Sequence, residues 1–174
     1  MSDEQIGDYE IFTDSGSSLG HGTYGLVTKG QHKMTKMLVA IKRIDKKWIN
    51  EGNVDKEIEM MEVAGKKAGN EHILKLFYHT LKNGFMWLVV EYCEGGDLNT
   101  FLLKNILSER LARQVVLQCV AGISHLHGMK PHRVVHRDIK PQNYLVTFAD
   151  GKMLVKVGRH LIFIIWLLFF CENK

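Results

Sequence analysis

His136-Arg137-Asp138-Ile139-Lys140-Pro141-Gln142-Asn143, HRDIKPQN, places a carboxylate, an ammonium and an amide within one short loop. Asp138 can accept or orient the proton of an attacking hydroxyl. Lys140 can neutralise a phosphoryl group in transfer, and Asn143 can offer an amide oxygen to a metal. A chance basic loop is the competing reading, and it loses because two further motifs stand upstream in a fixed order.

The first is LGHGTYGLV, in which Gly20, Gly22 and Gly25 make the spacing GxGxxG. Without a Cβ, these positions let backbone N–H groups approach a polyphosphate closely. The spacing alone is weak, because a dinucleotide-binding turn uses the same glycines to open a helix. Here Leu26-Val27-Thr28 follows and is β-like, so a phosphate-covering β-loop is favoured. The second motif is VAIK, ending at Lys42. An ammonium at the end of a strand beneath a glycine loop can reach α- and β-phosphates. Its ordinary alternative is a surface lysine, which the joint occurrence with the glycine loop disfavours. Glu57 in KEIEMME is the carboxylate expected to hold that ammonium, whereas Glu59 and Glu62 lie on other faces of the same helix.

Around these motifs the chain reads as β-rich, then helical. Residues 9–12, 26–29, 37–42, 73–78 and 85–92 are expected strands, and Asn83-Gly84 between the last two is a strong hairpin signal. Asn53 is an N-cap for an expected helix over 53–64. Asp97 caps a short helix to about 104, and Ser108 caps a longer one in which Leu111, Val115, Cys119, Ile123 and Leu126 recur at helical spacing. A small hairpin is expected around Asp150-Gly151, and Glu94-Gly95-Gly96 marks the change from strands to helices. The fold class is α+β: a five-stranded antiparallel lobe with one helix, then the first helical part of a second lobe.

The 174 residues are 45% hydrophobic and carry a net charge of +4. That is enough apolar material for one domain or two small lobes. The excess cations are dispersed, so nucleic acid is not an expected partner. Cys93, Cys119 and Cys171 are odd in number and widely spaced, which points to a reducing, cytoplasmic setting. His125, His127, His132 and His136 cluster near the end of the long helix, but a metal site is not the preferred reading, since His136 belongs to HRDIKPQN and the others suit a helix C-terminus.

The ordered set LGHGTYGLV, VAIK, the helix bearing Glu57, VVEYCEGGDL and HRDIKPQN resembles a eukaryotic-type Ser/Thr protein kinase over about residues 9–158, and EYCEGGDL is similar to the string in autophagy-initiating and calcium-regulated kinases. The resemblance implies ATP and Mg²⁺, a protein substrate, and phosphoryl transfer to a hydroxyl. It makes Asp138, Lys140, Lys42 and Glu57 catalytic residues and Asn143 a metal ligand. Val90 becomes the gatekeeper, the backbone from Glu91 to Cys93 binds adenine, and Leu19, Val27 and Ala40 pack on its ring beneath Gly20, Gly22 and Gly25. The implied organisation is a leader over 1–8, an N-lobe and hinge over 9–93, a partial C-lobe over 94–158 and a tail over 159–174.

The pattern breaks after Gly158. Where such kinases carry Asp-Phe-Gly, this chain reads Arg159-His160-Leu161. A guanidinium in place of a carboxylate reverses a charge-pair term of roughly 4 kcal/mol at about 4 Å and an effective dielectric near 20. The second Mg²⁺ ligand is therefore missing, and a catalytically impaired, nucleotide-binding or scaffold fragment is the alternative function. Leu161 to Cys171 is an unbroken apolar run of eleven residues. A helix spanning a bilayer takes about 20 residues, so membrane contact through this tail is disfavoured. Burial of each large side chain is worth roughly 1.5–3 kcal/mol, so the run should seek a groove or another surface. Retained intron sequence is one origin for it, tested by comparing transcript with genomic sequence at the codons for Gly158 and Arg159.

Overall fold

The computed structural model describes residues 5–22, 25–48, 70–130, 134–136 and 138–158. The helix expected over 53–64, Glu57 on it, and the tail over 159–174 lie outside the described residues. Two compact units divide the chain: Met1–Val54 with Lys75–Tyr92, and Asp55–Leu74 with Cys93–Lys174.

The first unit is one antiparallel sheet. Its strands are β1 (Gln5–Ile6), β2 (Tyr9–Ile11), β3 (Ser18–Gly22), β4 (Gly25–His32), β5 (Leu38–Asp45), β6 (Leu76–Lys82) and β7 (Phe85–Glu91). The order is β1-β2-β4-β5-β7-β6, with β3 also paired to β4. Two short strands, β1 and β3, thus join the five expected from sequence. Neither shows the apolar alternation that betrays a strand. The β6–β7 hairpin turns on Asn83 and Gly84, both at positive φ (54° and 76°), with Lys82 opposite Phe85. That is the two-residue turn whose twist matches the flanking strands.

The period-two alternation along β5 decides the faces. Val39 and Ile41 point to one side and join Ile6, Tyr9, Ile11, Trp87 and Val89 in a buried cluster. Arg43, on the same side, lays its guanidinium 4.8 Å from the Phe85 ring centroid and 5.6 Å from that of Trp87. Its stem and charge close the rim of the cluster. The other side of β5 carries Ala40 and Lys42.

The strand expected over 73–78 begins later, at Leu76. Ile73 instead makes a parallel bridge to Val157, and the Leu74 N–H donates to the Val157 carbonyl at 3.1 Å. An Asn70 turn, in which its side chain accepts the His72 N–H at 2.9 Å, sends these residues into the second unit. Apolar β-branched sequence does not say which sheet a strand joins.

The second unit has β8 (Gly96–Asp97), α1 (Leu98–Lys104), α2 (Glu109–Gly128), β9 (Tyr144–Ala149) and β10 (Lys152–Val157), the strands ordered β10-β9-β8. Asp97 caps α1 by accepting the Thr100 N–H at 2.9 Å, and Ser108 caps α2 by accepting the Leu111 N–H at 3.3 Å. The buried side of α2 holds Val115, Gly122 and Leu126. A Cβ at Gly122 would lie 2.6 Å from a Val157 methyl, so only glycine lets α2 approach β10 this closely. Gln118 ties the same two elements: its amide nitrogen donates to the Met153 carbonyl at 3.1 Å, and its oxygen accepts the Val155 N–H at 2.7 Å.

Candidate functional site

In the sheet unit, register alone assembles one candidate surface. Lys42 stands opposite Val27 on β4 and Leu88 on β7, and Ala40 stands opposite Val90. Directly opposed residues share a face, so Val27, Ala40, Lys42 and Val90 look out on the side away from the Ile41 cluster. Ala40 and Val90 are buried, Val27 and Lys42 half-buried, and Leu19 on β3 is exposed. Gly20 opposes Val27 at a φ of 149°, beside a register shift, and Gly22 opposes Gly25. Gly25 has a second duty: a Cβ there would sit 1.9 Å from the Arg43 carbonyl oxygen. This glycine is required by the close approach of β4 to β5, whatever the loop covers.

At the end of β7 the Glu91 N–H donates to the Lys75 carbonyl at 3.0 Å, and the Glu91 carboxylate accepts the Lys75 N–H at 3.4 Å. Cys93 belongs to the second unit, where its carbonyl accepts the Gly96 N–H at 3.1 Å. It is a buried free thiol.

The second unit holds the HRDIKPQN loop. Its start is pinned to the end of α2, the Val134 N–H donating to the Leu126 carbonyl at 3.0 Å. His136 is fully buried, with its ring parallel to that of Tyr144 at 6.4 Å between centroids. The Asp138 N–H donates to the His136 carbonyl at 2.7 Å. Lys140 Nζ reaches Asp138 Oδ2 at 2.9 Å. Pro141–Asn143 forms a 3₁₀ turn, and the fully buried Asn143 donates through Nδ2 to Asp138 O at 2.6 Å and to Asp138 Oδ2 at 2.8 Å. Both Asp138 oxygens can only accept, so the amide nitrogen must face them and Oδ1 must face away. That oxygen is buried and has no hydrogen-bond partner among the described residues. Leaving such an acceptor unsatisfied costs about 1–3 kcal/mol.

The β9–β10 ladder brings the end of the described chain to this loop. Tyr144 opposes Val157, and the Gly158 N–H donates to the Asn143 carbonyl at 3.1 Å. The sequence departure at Arg159 thus begins one residue from a backbone bond to the loop. Burial, and then the neighbouring Cys119, pushes the Tyr144 hydroxyl up to about 12. Burial pushes the Cys119 thiol up to about 11.

One supporting residue left no trace in the sequence pattern. Glu94 accepts the Thr147 hydroxyl at 2.7 Å and the Phe148 N–H at 3.1 Å. Burial works to raise its pKa, yet these bonds outweigh it and hold the carboxyl below its ordinary value. They fasten the start of β8 to β9. A glutamate beside two glycines looks like any solvated turn residue, and its partners lie far along the chain. Among the described residues no helix is long and apolar enough to cross a membrane.

A family model described as the protein kinase domain matches residues 13–158. The chain is 35% identical over 147 residues to a probable myosin light chain kinase of Dictyostelium discoideum, covering 82% of this chain and 36% of that protein. A second probable myosin light chain kinase of that organism is 32% identical over 156 residues, covering 87% and 43%. The serine/threonine-protein kinase SIK1 of Rattus norvegicus is 32% identical over 151 residues, covering 84% and 18%. The chain spans less than half the length of each. The match takes in the glycine loop, Lys42 and HRDIKPQN and stops at Gly158, so from its third strand to the end of its last the chain belongs to the protein kinase family.

Proposed function

We propose that this chain binds ATP and that its HRDIKPQN loop is arranged for phosphoryl transfer to a serine or threonine hydroxyl of a protein substrate. The observation that carries this reading is the Asp138–Lys140–Asn143 network, in which one amide holds the aspartate through two hydrogen bonds and keeps its own oxygen unspent. Asp138, oriented in this way, accepts or directs the proton of the attacking hydroxyl. Lys140, already 2.9 Å from that carboxylate, supplies positive charge beside the transferring group and fits the Ser/Thr-type loop. In the other unit Lys42 presents an ammonium for α- and β-phosphates, on the face where Val27, Ala40 and Val90 offer an apolar seat for the base. Glu91 and Cys93 are the proposed adenine-binding backbone positions, Glu57 the partner of Lys42, and a cytoplasmic setting suits the free thiols.

The residues present fit a hard cation in part. Mg²⁺ takes oxygen ligands from one or two protein groups together with substrate phosphates and water. Asn143 Oδ1 is such a ligand, and the ion, when bound, would neutralise phosphate charge. The residue directly after Gly158 is the cation Arg159, where a second carboxylate ligand is expected. That observation favours a second reading, nucleotide binding with little or no turnover.

Titration of the chain with Mg·ATP, paired with a γ-phosphate transfer assay on a generic basic protein, separates the two. The first reading expects saturable binding and measurable transfer. The second expects binding alone, with transfer appearing only when Arg159→Asp, His160→Phe and Leu161→Gly are introduced and the remainder of a kinase C-lobe is appended. Absence of Mg·ATP binding at millimolar nucleotide sinks both.

A further inference from the structure

Between Cys93 and Asp97 the second unit is held to β9 in two different ways. The β8–β9 ladder pairs Asp97 with Leu145 and Gly96 with Val146, and the Gly95 N–H donates to the Val146 carbonyl at 2.9 Å. Continued at the same register, the ladder would set Glu94 against Phe148. The backbone turns away instead: β8 begins at Gly96, whose φ is 69°, and the Gly96 N–H donates to the Cys93 carbonyl at 3.1 Å. A side chain completes what the backbone leaves. Glu94 Oε1 accepts the Phe148 N–H at 3.1 Å, and Oε2 accepts the hydroxyl of the buried Thr147 at 2.7 Å.

Glu94 is exposed. Water competes for hydrogen bonds at such a position, and ordering a glutamate side chain costs conformational entropy, so the two bonds add little to global stability. What they fix is the course of the chain one residue past Cys93. Gly95 fixes it further, since a Cβ there would lie 2.7 Å from a Val146 methyl and push the chain off β9. Strand β9 begins at Tyr144, directly after Asn143, whose amide holds Asp138. Glu94 therefore ties the Cys93 backbone to the strand that continues from the HRDIKPQN loop.

We propose that Glu94 is a positioning residue for nucleotide, its carboxylate fastening the Cys93 backbone to β9 in the place from which that backbone meets the base. This role rests on the nucleotide-binding reading and adds to it a residue that acts through another, without touching the ligand.

The test measures binding of adenosine, Mg·ATP and Mg·tripolyphosphate to the purified full chain and to Glu94→Ala, with circular dichroism establishing that each protein is folded. Adenosine and Mg·ATP should each bind about 5- to 10-fold more weakly to the variant, and tripolyphosphate, which has no base, should bind equally to both. Glu94→Gln should restore nucleotide affinity, because its amide oxygen can accept the Phe148 N–H while its nitrogen donates to the Thr147 hydroxyl. If Glu94→Ala does not fold, Thr147→Val removes one of the two bonds and carries the same comparison with a smaller loss. Unchanged adenosine affinity in the folded variant would overturn the proposal. So would equal losses for all three ligands, the pattern of a general loosening, or a loss in Glu94→Gln as large as in Glu94→Ala, which would mean that the charge itself acts on the ligand. Failure of the unsubstituted chain to bind adenosine and Mg·ATP would instead sink the nucleotide reading, and this role with it.

Discussion

The two units present their candidate functional residues by different physical means. In the sheet unit, Lys42 is aimed by backbone register: it faces Val27 and Leu88 because β4, β5 and β7 pair as they do. In the helical unit, Asp138 is aimed by side chains: one amide and one ammonium meet its carboxylate inside a loop. A ladder spreads its support over many backbone bonds, so a side-chain change on its open face should alter binding and leave the fold alone. A loop held by a few polar contacts concentrates chemistry and support in the same residues.

The largest expected effect breaks the loop side. Asp138→Asn removes the carboxylate and preserves the shape, so γ-phosphate transfer, in whichever form of the chain transfers, should fall about 10²- to 10⁴-fold. Mg·ATP affinity should stay nearly constant, as titration would show. Equal losses in affinity and transfer would mean that Asp138 acts as a binding group.

On the sheet side, Lys42→Met should weaken Mg·ATP binding about 10- to 100-fold, the equivalent of roughly 1.5–3 kcal/mol for a hydrogen bond to a charged group. The urea midpoint should hardly move. A large drop in that midpoint would show that the ladder does not carry Lys42 independently.

Gly25→Ala sharpens the same contrast from the opposite direction. Its Cβ would meet the Arg43 carbonyl at 1.9 Å, so β4 and β5 must separate. Overpacking of this kind costs about 1–3 kcal/mol. Chemical denaturation should show that loss together with weaker nucleotide binding, because here the ladder itself is disturbed.

The smallest effect concerns pH. Cys119 and Tyr144 are acids whose folded values, about 11 and about 12, lie above their ordinary values near 9 and 10. Below pH 9 both are protonated whether folded or unfolded, and their contribution is constant. As pH rises past 9 and then 10 the unfolded chain loses protons first, so stability should decline up to about 12. Urea midpoints across that range should slope downward, and Cys119→Ala with Tyr144→Phe should flatten the slope. An unchanged slope in the double variant would show that neither burial matters to stability.

Much of the fold was legible because its signals are local. The Asn83-Gly84 turn, the Asp97 and Ser108 caps and the Asp150-Gly151 hairpin each depend on neighbours a few positions away. Long-range partners were not legible. Gln118 reads as a polar helix residue, yet it closes α2 onto β10 through backbone groups of Met153 and Val155. Ile73 reads as the start of a strand in the first sheet, yet it pairs with Val157.

By itself the sequence determined the family and named the candidate site residues, because HRDIKPQN, VAIK and the glycine loop are short strings whose order carries the resemblance. Tertiary structure alone decided how they are aimed. Only folding sets Lys42 and Ala40 on the face opposite Ile41, binds Asn143 to Asp138 with its oxygen turned away, and presses Gly25 against Arg43. Those outcomes depend on strand register and on contacts between distant segments, and neither is written in the spacing of residues along one strand or loop.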